Sequence, residues 1–202
     1  RFFLKPTQQQ DNFLSFSFKT YPNAQNESCV HIHQSLYKTV SITATITVKI
    51  QNRLGMHARP ATMFAEIAGK STGIISTARI THATPAATYA KSADRNWEDI
   101  SDMPEDAVSE GCVDIADQLV NFERFVEARY TGVYIDGIDV AMGGGRRHFL
   151  PNDASANSPD ASSDVEGDRS DGRNLVTEWQ DTYSNGVYVY DETGFDEKFV
   201  CH

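Results

Sequence analysis

The sequence lacks three features that would each point to a class of protein. No apolar run approaches the roughly 18 residues of a membrane-spanning helix, so we expect no membrane contact. The three cysteines, Cys29, Cys112 and Cys201, show neither CxxC spacing nor a paired framework, and both one disulfide and free thiols stay open. Basic residues do not form runs interleaved with aromatics, which argues against a nucleic acid partner.

The charge is unevenly distributed along a polar chain. Of the 202 residues, 40% are apolar, and the mean hydropathy is -0.45. Residues 1–97 hold 11 basic and 4 acidic side chains, whereas residues 98–202 hold 7 and 24. This asymmetry is typical of a protein in which one basic surface binds an anion and the rest of the chain is acidic and solvated. Residues 98–117 hold eight acids and no base, and we expect them to form a solvated surface.

The pattern of apolar residues predicts alternating strands and helices. Residues 41–50 alternate apolar and polar side chains, which predicts a half-buried strand. Pro60 suits the first turn of a helix that ends at Gly69. Further strands are predicted over residues 73–79, 137–142 and 186–190, and further helices over residues 104–119 and 174–179. This order indicates an α/β fold with a mainly parallel sheet flanked by helices.

A histidine lies just before the first predicted helix, in the run Gly55-Met56-His57-Ala58-Arg59-Pro60-Ala61. The free N–H groups of a helix start stabilise a phosphate, and an arginine can bind it through paired N–H groups. Residues 45–69 resemble the strand, loop and first helix of HPr-type phosphocarriers. The resemblance implies that His57 accepts a phosphoryl group and that Arg59 binds it. An unpartnered histidine at an exposed helix end is the alternative.

A second group of polar residues follows the strand predicted over residues 73–79. Ligands of α/β sheets gather where strands end in loops. His82 and Thr84 are two residues apart, so on an extended stretch they would point to the same side. The hydroxyl of Thr84 suits a hard cation such as Mg²⁺, His82 could hold a metal-bound water, and Arg95 could bind a phosphate.

Residues 70–196 resemble alkaline phosphatases. The resemblance is carried by several separated motifs in the family's order: Thr81-His82-Ala83-Thr84-Pro85-Ala86, Asp94-Arg95-Asn96-Trp97, Gly111-Cys112-Val113-Asp114-Ile115-Ala116, Gly143-Gly144-Gly145-Arg146-Arg147 and Asp171-Gly172-Arg173-Asn174-Leu175. It implies that Thr84 is a Mg²⁺ ligand, that His82 lies beside this metal, and that Arg95 binds the phosphate of a phosphomonoester. It also implies Zn²⁺ as a cofactor and a periplasmic or secreted location, although residues 1–6 are too short for a signal peptide.

Two parts of the active site of alkaline phosphatases, the nucleophilic serine and the zinc ligands, are not found in this sequence. The nucleophilic serine follows an aspartate in that family, and no Asp-Ser pair precedes residue 70. Ser41 is not expected to be this nucleophile, because it follows Val40 and lies within a strand pattern. His148 and His202 are isolated and are expected at the surface rather than as zinc ligands.

These observations leave three hypotheses. The chain is an incomplete phosphomonoester hydrolase with weak or no activity, a phosphocarrier that uses His57, or a non-catalytic mosaic or fragment. We expect a loop-rich segment over residues 1–44, a phosphocarrier-like segment over 45–69, a partial phosphatase-like domain over 70–197 and a tail over 198–202. Unpaired strand edges of an incomplete sheet would favour a homo-oligomer.

Overall fold

A computed structural model describes residues 2–4, 19–22, 28–33, 45–50 and 58–199, with side chains from residue 58 to residue 195. The chain forms two compact units, one of residues 1–6 and 58–202 and the other of residues 7–57. The boundaries predicted at residues 44, 69 and 197 stay predictions. None of the helices in the described part is long and apolar enough to cross a membrane.

After residue 58, one or more helices separate successive strands in the described part. The strands are β1 (Phe2–Leu4), β2 (Lys19–Pro22), β3 (Ser28–His33), β4 (Thr45–Ile50), β5 (Gly73–Arg79), β6 (Val140–Gly144) and β7 (Val187–Val189). The helices are α1 (Ala58–Ile67), α2 (Ala83–Ala86), α3 (Glu105–Ser109), α4 (Ile115–Val120), α5 (Phe122–Arg129), α6 (Leu175–Thr182) and α7 (Glu192–Phe199). Short 3₁₀ turns lie at Ile100–Asp102, Arg146–Phe149 and Ala154–Ala156.

The smaller unit contains an antiparallel sheet in the order β2-β3-β4. In it His33 pairs with Thr45, and Ser28 pairs with Ile50. The strand predicted from the alternating pattern of residues 41–50 is present from Thr45 to Ile50.

The larger unit contains a four-stranded sheet in the order β5-β6-β1-β7. Strand β5 is parallel to β6, and β1 is antiparallel to both β6 and β7. Strands β5, β6 and β7 therefore run in the same direction, with β1 running the opposite way between two of them. The predicted α/β fold with helices and a small parallel sheet, formed by β5 and β6, is confirmed, and the antiparallel strand β1 makes the whole four-stranded sheet mixed.

The first helix begins and ends close to the predicted residues. Helix α1 starts at Ala58, two residues before Pro60, so the proline lies in the first turn, where a missing N–H costs least. Gly69 has a φ of 63°, and the amide of Lys70 bonds to the carbonyl of Ala65. The left-handed conformation of Gly69 lets the following amide donate a hydrogen bond to a carbonyl of the last turn, and the helix ends there.

The single helix predicted over residues 104–119 is wrong. Two short helices, α3 and α4, replace it, and Gly111 between them has a φ of 81°. Helix α4 has its own cap, because the carboxylate of Asp114 accepts a 2.9 Å hydrogen bond from the amide of Asp117. The apolar spacing that predicted a single helix continues across this break. The left-handed conformation of Gly111 interrupts the helix all the same.

The strand predicted over residues 137–142 is displaced towards the C-terminus. Gly137 adopts a left-handed φ of 83°, and β6 starts only at Val140. The strand extends through Gly143 to Gly144. A Cβ atom at Gly143 would lie 3.1 Å from the carbonyl oxygen of Ala78, so the absence of a side chain lets β6 approach β5 closely.

The core of the larger unit lies between the sheet and helices α4, α5 and α6. Ile115, Ala116, Phe149 and Leu175 are all at most 2% exposed. Helix α6 starts where predicted, with Asn174 as its cap. The polar segment of residues 151–172 returns to this core through a bridge between Pro151 and Arg169.

Candidate functional site

The residues predicted to bind a metal lie directly after β5. His82 has extended backbone and is half-buried, whereas Thr84 lies in α2 and is exposed. The extended stretch expected through both residues is therefore wrong, because β5 ends at Arg79 and a turn and a helix follow. In the described part of the chain, no side-chain hydrogen bond or ion pair engages His82 or Thr84.

The predicted phosphate ligand lies on a separate loop. Arg95 is exposed in the irregular segment between residues 91 and 97. Among the described residues, no carboxylate pairs with Arg95, and no hydrogen bond joins it to His82 or Thr84. The structure therefore leaves the three predicted residues without direct contacts to one another.

A buried acid, Glu98, connects the two segments. Its carboxylate accepts hydrogen bonds from Nε and Nη2 of Arg79 at 2.8 and 2.6 Å, and from the hydroxyl of Thr81 at 2.6 Å. Burial raises the pKa of Glu98, but the hydrogen bonds from Arg79 and Thr81 outweigh it and lower the pKa to about 2. Glu98 is therefore an anion at neutral pH, between the end of β5 and the Arg95 loop.

A buried histidine extends this polar cluster. Nδ1 of His148 lies 2.5 Å from a carboxylate oxygen of Asp99, and Nε2 lies 3.2 Å from Glu98. Asp99 also accepts a 2.8 Å hydrogen bond from the amide of Ser101. Burial raises the pKa of Asp99, and the hydrogen bonds from His148 and Ser101 lower it further than burial raises it. His148 is 2% exposed, so its predicted surface position is wrong.

The acidic segment that begins at residue 98 is only partly solvated. Glu98, Asp99 and Asp114 are all buried, against our expectation of a solvated surface for residues 98–117. Arg169 forms a bidentate pair with Asp114, at 3.1 Å for each N–O contact. Hydrogen-bonding partners that are distant in sequence make these burials possible, and the local composition could not show them.

Comparison with known proteins identifies the family. A family model described as alkaline phosphatase matches residues 35–198. The chain belongs to the alkaline phosphatase family. It is 44% identical to an alkaline phosphatase of Gadus morhua over 131 residues, which are 64% of this chain and 25% of that protein. It is 38% identical to the tissue-nonspecific isozyme of Homo sapiens over 133 residues, which are 64% of this chain and 23% of that protein.

A longer match occurs with the tissue-nonspecific alkaline phosphatase of Rattus norvegicus. It covers 159 residues at 35% identity, which are 77% of this chain and 28% of that protein. The chain therefore spans about a quarter of the length of these relatives. The resemblance to alkaline phosphatases is confirmed.

The comparisons give no support to the resemblance to phosphocarriers. The alkaline phosphatase match includes residues 45–69, where that resemblance was noted. His57 lies outside the described residues. Arg59 lies in the first turn of α1, and its Nε atom is buried without a hydrogen-bond partner in the described part. The roles of His57 and Arg59 stay predictions.

The described residues fit only in part the metals, Mg²⁺ and Zn²⁺, that the alkaline phosphatase resemblance implies. Thr84 and His82 offer a hydroxyl and an imidazole towards Mg²⁺, which takes six ligands and keeps several waters. Within the described residues, the group of three that could hold a metal is Asp99, His148 and Asp168, whose donor atoms lie within 4.8 Å of one another. Hydrogen bonds and ion pairs already engage this group, because Asp168 pairs with Arg147 at 3.2 Å. Zn²⁺ has no such group beside His82 and Thr84 among the described residues.

Sequence analysis did not predict the burial of Glu98 and His148, which link separate segments of this chain through hydrogen bonds. Glu98 was assigned to a solvated surface and His148 to an isolated surface position. Their burial depends on Arg79 and Asp99, partners 19 and 49 residues away. The one local signal for Glu98 is its place three residues after Arg95, directly behind the motif that contains Trp97.

Proposed function

We propose that this chain contributes the phosphate-binding and magnesium-binding corner of an alkaline-phosphatase-type phosphomonoester hydrolase. Arg95 would bind the substrate phosphate, and Thr84 and His82 would face Mg²⁺. Zn²⁺ would serve the reaction through ligands outside this corner. Membership of the alkaline phosphatase family supports the proposal. The observation on which it rests is the exposed position of Arg95.

The observation that carries the proposal is that Arg95 is available to an anion in an acid-rich chain. Several other arginines are each paired with a carboxylate, namely Arg79, Arg146, Arg147, Arg169 and Arg173. Arg95 is exposed and has no such partner among the described residues. A guanidinium group that is not neutralised by an internal acid can bind two phosphate oxygens at once.

In this proposal Arg95 acts by binding and orienting the phosphoryl group. Its paired N–H groups would face the equatorial oxygens, where charge is spread in the transition state of phosphoryl transfer. When bound, Mg²⁺ would supply positive charge and an ordered water at the corner. His82, half-buried beside Thr84, would hold that water by a hydrogen bond.

We expect weak or no turnover by this chain, because the Asp-Ser pair of the family is not found before residue 70. We also propose homo-oligomer formation through β5. That strand is at the edge of its sheet in the described part, and its Ile75 is 75% exposed. A periplasmic or secreted location stays a proposal from the family resemblance.

Two measurements on the whole chain test the role of Arg95. The first is binding of inorganic phosphate with Mg²⁺ present, and the second is hydrolysis of an aryl phosphate at alkaline pH with Zn²⁺ and Mg²⁺. We expect Arg95→Ala to weaken phosphate binding strongly, to a residual affinity that can still be measured, and Arg129→Ala, which changes another exposed arginine, to preserve it. Equal binding by Arg95→Ala and the unsubstituted chain would refute the role of Arg95. Robust turnover that Arg95→Ala abolishes would refute only the expectation of low activity.

A further inference from the structure

The loop that contains Arg95 has both of its ends fixed to one short helix. At its start, the amide of Lys91 donates a 2.8 Å hydrogen bond to the side chain of Gln118, and the Gln118 amide group donates to the carbonyl of Lys91 at 3.2 Å. At its end, the amide of Ile115 donates to the carbonyl of Trp97 at 2.9 Å. The exposed arginine is therefore held between two fixed points on α4.

The side chain of Glu98 adds a second anchor, towards the sheet. It is the acceptor for Arg79 and Thr81, at the end of β5, while its own carbonyl accepts a 3.0 Å hydrogen bond from the amide of Ala116 in α4. Thr81 is fully buried and directly precedes His82. One residue thus connects the Arg95 loop, α4 and the segment that continues into His82 and Thr84.

We propose that Glu98 is the positioning residue of the phosphate-binding corner, which fixes the Arg95 loop against the segment of His82 and Thr84. The inference rests on the proposed function of Arg95. Glu98 acts through these segments, because its carboxylate is occupied by Arg79 and Thr81.

The chemistry of the contacts requires a carboxylate at this position. Glu98 receives two N–H groups from Arg79 and one hydroxyl from Thr81, and all three are donors. A glutamine would offer one acceptor oxygen, and its NH₂ group would face a donor. Glu98→Gln therefore changes few atoms in the side chain but breaks at least one buried, charge-assisted hydrogen bond.

Limited digestion of the whole chain with trypsin measures how firmly the loop is held. The bond after Arg95 is in the loop, and the bond after the exposed Arg129 serves as an internal reference. We expect Glu98→Gln to accelerate cleavage after Arg95 about tenfold relative to cleavage after Arg129, as for the loss of a charged hydrogen bond. Glu110→Gln, at an exposed acid in the same acidic segment, should change neither rate. Thr81→Val, which removes one donor, should have a smaller effect in the same direction.

Binding of inorganic phosphate provides a readout that general destabilisation would not reproduce. We expect Glu98→Gln to weaken phosphate binding about tenfold at a temperature where the chain stays folded. The same substitution should have no further effect when Arg95→Ala is already present. Because Glu98 acts through Arg79, Arg79→Met combined with Glu98→Gln should lose no more affinity than Glu98→Gln alone.

The outcomes separate this inference from the proposed function. If Glu98→Gln and Thr81→Val are cleaved after Arg95 at the rate of Glu110→Gln, the positioning role is refuted. If phosphate binding is absent or independent of Arg95, the proposed function is refuted, and the cleavage rates alone decide whether Glu98 fixes the loop. If Glu98→Gln weakens phosphate binding equally with and without Arg95, the inference that Glu98 acts on that residue is refuted.

Discussion

Removal of the buried arginine Arg169 should destabilise the larger unit strongly. Its side chain is fully buried, and it donates to both carboxylate oxygens of Asp114 at 3.1 Å and to Asp171 at 2.6 Å. Arg169→Met would leave Asp114, whose side chain is 2% exposed, as a buried charge without its partner. Loss of one member of such a pair costs about 3–5 kcal/mol, so we expect the free energy of unfolding to fall by that amount.

The size of the expected loss of stability depends on how much the burial of Asp114 costs. Burial raises the pKa of Asp114, and the pKa stays above its ordinary value although Arg169 and the amide of Asp117 act to lower it. Asp114 therefore recovers less than the full cost of burying its charge, whereas burial, which lowers the pKa of Arg169, is more than offset by the contacts with Asp171 and Asp114 that raise this pKa. Consequently, Asp114→Asn combined with Arg169→Met should cost less than the sum of the two single substitutions.

Urea unfolding monitored by tryptophan fluorescence, to which the buried Trp179 (4% exposed) contributes together with Trp97, measures these changes. Arg173→Met is the matched control, because Arg173 also contacts two carboxylates, Asp117 and Glu178, but its side chain is 36% exposed. The control should lose at most about 1 kcal/mol, as is usual for partly exposed pairs. A loss below about 1 kcal/mol for Arg169→Met would refute the reasoning, because the buried charge would then have found another partner or water.

Two further predictions concern pH and phosphorylation. The pKa of Glu98 is lowered in the folded chain from 4.5 to about 2, so its contribution to stability is fully present above about pH 4.5 and is lost as the pH falls towards 2. Thermal unfolding between pH 6 and 2.5 should show this loss, and Glu98→Gln should have a shallower dependence, whereas an unchanged slope would contradict the assignment. His57 should not be phosphorylated efficiently by phosphotransfer enzymes, and stoichiometric acid-labile phosphate that His57→Ala removes would contradict this prediction.

Local patterns predicted the elements whose boundaries are set by neighbouring residues. The alternation around β4, the Pro60 and Gly69 signals of α1 and the start of α6 next to residue 174 each depend on residues within one turn or one strand. The break between α3 and α4 was missed because the apolar spacing continues across Gly111. Backbone conformation at a single glycine is a local property, but composition does not reveal its sign of φ.

The candidate site was only half predictable for a different reason. The family motifs supplied His82, Thr84 and Arg95, which are short-range patterns in the sequence. Glu98 and His148 have their roles through partners on other segments, so the pairing that buries them appears only in the fold. A run of acids is usually solvated, and this average expectation fails where distant basic groups neutralise individual members.

The same pairing explains how a chain with a net charge of -10 can retain an exposed arginine, Arg95, that has no carboxylate partner among the described residues. Glu98 is engaged by Arg79, Asp99 by His148, and Asp114 by Arg169, so the buried acids closest in sequence to Arg95 have partners of their own. The remaining exposed acids act on Arg95 mainly through solvent, where screening limits their effect to about 8 Å at physiological ionic strength. Phosphate binding should therefore weaken less with Glu110→Gln than with Glu98→Gln, although both substitutions remove one negative charge. If charge alone governed the site, both would strengthen binding, and the fixed loop would have no part in it.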